Sequence, residues 1–266
     1  MTILVSQLNI YPIKSAGQIS LESSAMDRFG LSNDRRWMIV DLSGKFITQR
    51  QTPAIALIGV QLMGVSLELS APSMPSIDVP FKNGSSVAMQ VTVWSDQCEA
   101  EDMGDEAAHW LSQYLNVPCR LVFMPESTRR SIDADYSGVS DTVSFADGFP
   151  ILLISEASLA ELSTRLKRPV SMSRFRPNIV ISGCDAFAED GWKSIRINEV
   201  EFSVAKACAR CSMPTIDQNT AEIDREIMTG LAEFRRAKDK QIYLGQNLIN
   251  QGEGTIHVGD EVLISD

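Results

Sequence analysis

The chain has 266 residues, with 24 Lys or Arg against 34 Asp or Glu, so its formal charge at pH 7 is −10. Apolar residues make up 44% and charged residues 22%, a composition that excludes an intrinsically disordered chain. The acidic balance argues against nucleic-acid binding, which needs a basic face. No apolar run approaches the length of a membrane-spanning helix, and residues 1–7 lack the features of a signal peptide. We therefore expect a cytoplasmic protein without a membrane span.

The first half of the chain predicts short β-strands separated by turns. Apolar and β-branched runs lie at residues 3–10, 55–62, 65–69 and 87–94. Residues 36–41 and 45–50 flank Leu42-Ser43-Gly44, a sequence that favours a hairpin. Strands at this spacing are typical of a sandwich or barrel. A helix is predicted over 102–115, because Ala107, Trp110 and Leu111 share one face.

The second half adds further strands and two helices. An apolar strand at 149–154 leads into a helix, for which Ser155 and Ser158 are rival N-caps. Strands are predicted at 178–181, 195–204, 242–249 and 255–264, and a short helix near 231–235. The sequence therefore predicts an α+β fold that is predominantly β. A boundary near residue 120 would divide it into domains 1–120 and 121–266.

The pair Cys208-Ala209-Arg210-Cys211 is the first feature that needs a chemical explanation. Arg210 and the nearby Lys206 favour the thiolate form, which is the reactive one. The pair could be a dithiol redox centre, half a zinc site or the source of a single thiolate ligand for a soft metal. Zinc is poorly supported, because the chain has no second Cys-X-X-Cys and its two His are isolated. One buried or reactive Cys with an incidental neighbour remains the alternative.

Cationic residues recur beside predicted strand ends. Lys14-Ser15, Arg35, Arg50 and Arg176 all occupy such positions. Cations with a hydroxyl group suit a phosphate, and a strand-to-helix step at Ser155 would add free backbone N–H groups. The alternative is that each charge is merely exposed to solvent.

Three segments together resemble a known family. They are Tyr11-Pro12-Ile13-Lys14-Ser15, residues 175–184 beginning Phe175-Arg176-Pro177-Asn178, and Ala207-Cys208-Ala209-Arg210-Cys211. In this order they resemble MOSC-domain proteins with an N-terminal β-barrel domain, the group of the bacterial YcbX proteins and the mitochondrial amidoxime-reducing component. The segments 34–37, 153–159 and 259–262 fit as well, so the resemblance covers essentially the whole chain.

The resemblance implies a mixed β-barrel MOSC domain packed with an N-terminal β-barrel-like domain, and a bound molybdenum cofactor (Mo-molybdopterin). Cys211 matches the metal ligand of the family and would be the catalytic residue. A soft metal held by sulfur selects a thiolate over oxygen or imidazole. The cofactor-binding positions fall on Lys14, Ser15, Arg35, Ser155, Arg176 and Asn178, with Arg50 a weaker candidate that contacts substrate or pterin.

By the same resemblance, the activity would be the two-electron reduction of small N-hydroxylated compounds. The chain stops at Asp266 without the Cys ligands of an iron–sulfur domain, so we expect a separate electron-donor protein. One alternative is a sulfur or molybdenum-cofactor carrier that uses Cys211 without reducing a substrate. Another is a cofactor-free β-barrel binding module in which the Cys pair is incidental.

Overall fold

The computed structural model of the chain describes residues 2–81, 87–133, 135–136 and 142–265. The strands of the first half are β1 (Leu4–Ile10), β2 (Ile19–Leu21), β3 (Ser23–Asp27), β4 (Gly30–Leu31), β5 (Trp37–Asp41), β6 (Gly59–Leu62), β7 (Ser66–Ser70), β8 (Ile77–Pro80), β9 (Val87–Val93), β10 (Asp96–Asp102) and β11 (Cys119–Phe123). Those of the second half are β12 (Ile151–Ser155), β13 (Ile179–Ser182), β14 (Ser194–Ile197), β15 (Val200–Ala209), β16 (Tyr243–Gln251), β17 (Gly254–His257) and β18 (Val262–Ser265). The α-helices are α1 (Asp105–Leu115), α2 (Glu156–Leu166) and α3 (Glu226–Arg235). The predicted α+β class, predominantly β, is confirmed.

Eight strands form one mixed sheet in the order β18-β14-β15-β16-β12-β13-β1-β2. β12 and β13 run parallel, whereas the other pairs are antiparallel. Leu8, Leu153, Ile179, Phe202 and Leu248 are fully buried against this sheet and form its core. Their burial supplies the hydrophobic free energy that holds the strands together.

The described strands do not close the eight-stranded sheet into a barrel. Its edge strands are β18 and β2. The edge at β18 approaches the start of β1 through backbone hydrogen bonds. The Gly259 amide donates to the Val5 carbonyl at 2.8 Å, and the Val262 amide donates to the Ile3 carbonyl at 2.9 Å. The predicted barrel is therefore an open sheet whose ends meet near the start of β1.

Three smaller sheets complete the fold, in the orders β5-β11-β10-β9, β6-β7-β8 and β17-β3-β4. Helix α1 places Trp110 and Leu111 in one core cluster with Trp37 and Leu121. The helix begins at Asp105, three residues later than predicted, and ends at Leu115, followed by Asn116 in the left-handed conformation. The residues 45–50 predicted as a hairpin strand form only single bridges, at Lys45 and Phe46.

The sheets do not divide at residue 120. Strand β11 spans that position, and β1 and β2 belong to the sheet built mainly by the second half. Strand β3 likewise pairs with β17. The bounds 1–120 and 121–266 remain a prediction. No helix in the described part of the chain is long and apolar enough to cross a bilayer.

Candidate functional site

A cleft lies where the loops of the first half meet the ends of β13 and β15. Its enclosed part measures about 120 Å³, and about 770 Å³ when the open mouth is counted. The predicted site residues that line it are Lys14, Ser15, Arg35, Arg50, Arg176, Asn178 and Cys211. These residues come from distant parts of the sequence, so the fold converts scattered positions into one cationic cleft.

The Cys pair enters the cleft at the end of β15. The pairing of β15 with β16 shifts register twice, between Val204 and Lys206 and between Ala207 and Ala209, and such irregularities re-aim the side chains that follow. Cys211 is exposed, and Cys208 is half-buried. Arg210 donates from Nη1 to the Cys208 sulfur at 3.1 Å and from Nη2 to the Phe175 carbonyl at 2.8 Å. Arg210 therefore lies between the two cysteines in the sequence, and its guanidinium group contacts the Cys208 thiol.

Cys211 is not part of a protein-built metal cage. Among the described residues, no group of three or more His, Cys, Asp or Glu side chains is arranged to hold a metal ion. A metal bound at Cys211 would therefore share its coordination with atoms of another molecule.

Arg176 carries a buried charge without a carboxylate partner among the described residues. Its Nη1 donates to the Ala16 carbonyl at 2.7 Å and to Gln218 Oε1 at 3.1 Å. Its buried Nη2 has no hydrogen-bond partner. Burial lowers the pKa of Arg176 to about 10, so the side chain is still cationic at neutral pH. A buried cation with a free donor suits an anionic ligand.

Arg35 differs from Arg176 because a buried carboxylate already neutralises it. The Arg35 guanidinium is paired with Asp34, which is fully buried. Burial would lower the pKa of Arg35, but Asp34 outweighs it and raises that pKa above its ordinary value. Arg35 also donates to Asn178 Oδ1 at 2.9 Å and to the Arg176 carbonyl at 3.2 Å. The pair thereby fixes the segment that carries Arg176 and Asn178.

Tyr11 separates the two cleft arginines. The centre of its ring lies 4.6 Å from the Arg35 guanidinium carbon and 4.1 Å from that of Arg176. The Tyr11 hydroxyl donates to the Pro177 carbonyl at 3.1 Å. Cation–π contacts of this kind are strengthened by burial, so the buried ring holds two like charges in place.

Three residues of the cleft adopt a left-handed backbone. The φ angles are 71° at Ser15, 49° at Arg35 and 56° at Arg176. Non-glycine residues rarely occupy this region, and strained backbone of this kind concentrates at functional sites. All three positions are among the predicted cofactor-binding residues.

Lys14 faces the cleft from a buried position opposite Asp147. Its ammonium donates to Asp147 Oδ1 at 2.5 Å and to the Phe145 carbonyl at 2.7 Å. Burial lowers the pKa of Lys14, and the carboxylate offsets this only in part. Burial would raise the pKa of Asp147, but the ammonium outweighs it and holds that pKa well below its usual range. Asp147 is therefore ionised at neutral pH, and it pairs with Lys14.

Arg50 lies at the mouth of the cleft. Its guanidinium carbon is 4.4 Å from the centre of the Trp94 ring, and its Nε donates to Thr48 Oγ1 at 3.3 Å. The structure thus places Arg50 against an exposed aromatic side chain. Its contact with substrate or pterin remains a prediction.

Ser155 does not line the cleft, and its role as a cofactor-binding residue remains a prediction. It is the N-cap of α2, and its hydroxyl oxygen accepts from the Ser158 amide at 3.1 Å. The Ser155 hydroxyl also contacts the Ser158 hydroxyl at 2.7 Å. The Ser155 backbone amide and the Ser158 hydroxyl both donate to Glu189 Oε1. The Ser155 hydroxyl thus caps the helix within a fully buried network.

Sequence reasoning missed Asp147, Arg210 and Trp94 as cleft or rim residues. Asp147 follows no recognisable motif, and its partner Lys14 is 133 residues away. Trp94 carries no sequence signal for a rim position, and its relative exposure is 46%, against 1% for Trp37. Arg210 was noted only for its effect on the thiols. Its position between two cysteines was the one available signal.

Comparison with known proteins defines the class. Residues 2–118 match the MOSC N-terminal beta barrel domain, and residues 140–263 match the MOSC domain. The chain belongs to the MOSC family, in the group that carries this N-terminal domain.

Curated relatives cover nearly the whole chain. Mitochondrial amidoxime-reducing component 1 of Homo sapiens is 35% identical over 277 residues, covering 98% of this chain and 82% of the human protein. Mitochondrial amidoxime reducing component 2 of Rattus norvegicus is 37% identical, covering 97% and 82%. Among solved structures, the YUAD protein of Bacillus subtilis aligns over 99% of this chain and 96% of its own, with 13% identity and a TM-score of 0.45.

Proposed function

We propose that this chain is a molybdenum-cofactor-dependent reductase of small N-hydroxylated compounds. The observation that carries the proposal is the placement of the exposed Cys211 thiol in one cleft with Lys14, Arg35 and Arg176. The names of the curated relatives, which are amidoxime-reducing components, support the same reaction. A cytoplasmic location remains a prediction, and these relatives are named mitochondrial.

The residues of the cleft fit such a cofactor. A pterin cofactor carries a phosphate, and Arg176 offers a buried cation with an unused Nη2 donor. The enclosed volume of about 120 Å³ has room for a phosphate-sized group, while the open mouth leaves space for a larger one. Cys211 provides a single soft ligand, which suits a metal whose other sulfur ligands come from a dithiolene.

Each residue would act on the cofactor in a different way. Arg176 and Lys14 would bind its anionic end, and Ser15 would add a hydroxyl or backbone donor. Arg35 and Asn178 would fix the position of Arg176 through their mutual bonds. Cys211 would be the protein's metal ligand. The bound cofactor would supply two-electron redox chemistry, converting R₂N–OH, two electrons and two protons into R₂N–H and water.

The electrons would come from a separate donor protein. The cleft is open at its mouth, and Cys211 is exposed there. Such an opening supports access by small N-hydroxylated substrates and by a reduced partner. The phosphate end of the cofactor would be buried, beside Arg176.

Replacing each thiol in turn tests the proposal. The protein is produced in a host that makes the cofactor, its molybdenum content is measured, and amidoxime reduction is assayed with a chemical reductant. Wild type should contain about one molybdenum per chain and turn over. Cys211→Ala should lose turnover, because the metal loses its protein ligand. Cys208→Ala is the matched control and should retain it. Turnover by Cys211→Ala at the wild-type rate contradicts the proposal.

The exposure of Cys211 favours a second candidate, a sulfur or cofactor carrier. A thiol that hands on a persulfide or a cofactor must be reachable by an acceptor protein, and Cys211 is. Fully loaded protein that reduces no amidoxime, yet transfers sulfur or cofactor in a Cys211-dependent way, would identify the carrier. Protein that never contains molybdenum would instead indicate a cofactor-free binding module.

A further inference from the structure

A second cavity lies on the other side of Cys211. This outer cavity measures about 720 Å³ with its mouth counted, and it shares Arg50, Asp147 and Cys211 with the cleft. Trp94, Asp96 and Arg130 belong to the outer cavity alone. The exposed thiol therefore stands at the boundary between two spaces, one with the unused donor of Arg176 and one with an aromatic wall.

Trp94 is held rigidly in an exposed position. It follows β9 in the turn before β10, where its φ is +57°, a strained conformation for a bulky residue. Its indole Nε1 donates to Asp147 Oδ1 at 3.2 Å, and its ring lies 5.3 Å from that of Phe46. The Arg50 guanidinium carbon also lies 4.4 Å from the centre of the ring. With 46% relative exposure, the rest of the indole still offers apolar surface to solvent. A preorganised aromatic side chain loses little entropy when it binds a flat ligand.

Of the four charged residues of the outer cavity, three are in ion pairs. Arg130 is buried, and its Nε donates to Asp96 Oδ2 at 2.8 Å. Its Nη1 donates to the Ser144 carbonyl at 2.8 Å, and its Nη2 to the Asp147 carbonyl at 2.9 Å. Asp147 is paired with Lys14. The fourth is Arg50, which lies against the Trp94 ring and donates to Thr48 Oγ1. The exposed carboxylate oxygens of the cavity can accept from N–H or O–H groups.

We propose that the outer cavity is the substrate subsite and that Trp94 determines specificity by selecting flat aromatic N-hydroxylated compounds over aliphatic ones. The inference rests on the proposed reductase function. A planar ring would pack on the indole, while the N–H and O–H groups of the reacting end would face Asp96 and Asp147. This arrangement places the reacting end near Cys211, at the boundary of the two cavities.

The test compares two substrates on the loaded wild-type enzyme and on three variants. Benzamidoxime is the aromatic substrate and acetamidoxime the aliphatic one, and kcat/KM is measured for each. In Trp94→Leu the aromatic-to-aliphatic ratio of kcat/KM should fall about tenfold, mainly through a higher KM for benzamidoxime. Trp94→Phe keeps a ring but loses the indole N–H, so its ratio should stay within about threefold of wild type. Leu42→Ala, which removes an exposed apolar side chain outside both cavities, is the control.

Binding of the product analogue benzamidine, measured by calorimetry, gives a readout without turnover. Trp94→Leu should bind benzamidine about tenfold more weakly than wild type or Trp94→Phe. An unchanged affinity, or an equal loss of kcat/KM for both substrates, would overturn the subsite. Wild type that binds benzamidine through Trp94 but reduces no amidoxime would leave the subsite standing and reject the reductase. Reduction of both substrates with no dependence on Trp94 would support the reductase and reject the subsite.

Discussion

At the scale of single residues, two arginines separated by one position have opposite surroundings. Arg174 donates to Asp217 Oδ2 at 2.6 Å and to the carbonyls of Pro214 and Thr215. Arg176 contacts only neutral acceptors and keeps an unused donor. The first is therefore a structural residue, and the second is poised for an anion.

Replacing each arginine by glutamine should separate these roles. Arg174→Gln should lower the free energy of unfolding by about 2 kcal/mol, because it breaks a charge-assisted, largely buried pair. Inorganic phosphate should raise the Tm of wild type, because a ligand of the folded state stabilises it by mass action. Arg174→Gln should keep this rise. Arg176→Gln should lose that rise. Thermal unfolding with and without phosphate measures both, and a phosphate-dependent rise in Arg176→Gln would contradict the assignment.

At the scale of elements, the start of α2 shows why a motif position need not be a ligand position. Ser155 satisfies orphan helix N–H groups, as an N-cap does, and its neighbour Ser158 and the buried Glu189 complete the network. The sequence correctly predicted a helix start there. It could not show that Ser155 is fully buried, because the Glu189 carboxylate, which accepts from the Ser155 backbone amide and the Ser158 hydroxyl, comes from a separate turn of the chain.

Removing this cap should affect stability and leave the cleft intact. Ser155→Ala should lower the free energy of unfolding by about 1–2 kcal/mol, through loss of the cap and of buried hydrogen bonds. The phosphate-dependent rise in Tm should persist, because Ser155 does not line the cleft. Chemical denaturation and phosphate titration of the same sample decide the matter. A variant of normal stability that no longer responds to phosphate would restore Ser155 to the binding site.

Local motifs were readable from the sequence, and long-range pairings were not. The segments around Lys14, Arg176 and Cys211 could be recognised because each is a short run of neighbouring residues. Asp147 could not, because its role depends on a contact with Lys14 made only after folding. The open sheet was expected as a closed barrel for the same reason, since strand patterns predict strands but not which edges pair.

At the scale of the whole molecule, the two predicted domains share a sheet and a cleft. β1 pairs with β13, and the Gln49 and Gln218 amides bond each other, with Gln218 Nε2 donating to Gln49 Oε1 at 2.8 Å. Three of the four tryptophans, Trp37, Trp94 and Trp110, lie before residue 120, and Trp192 lies after it. Tryptophan fluorescence therefore reports mainly on the first half, while far-UV circular dichroism reports on both.

We expect the chain to unfold in one cooperative step. Urea transitions followed by tryptophan fluorescence and by circular dichroism should coincide, which is the criterion for two-state behaviour. Leu8→Ala, in the core of the shared sheet, should shift both transitions together by about 2–4 kcal/mol. A fluorescence transition that precedes the other signal, or that alone ignores Leu8→Ala, would show two independent units.

The pairing of β1 with β13 has a consequence for biosynthesis. Leu4 lies opposite Ser182, so this edge of β1 has no partner until nearly 180 further residues have been translated. At cellular elongation rates this delay is on the order of ten to thirty seconds. During that time an apolar strand edge is open to misassembly or to a chaperone. Nascent chains arrested before β13 should accordingly be more sensitive to protease within residues 4–10 than chains arrested after it.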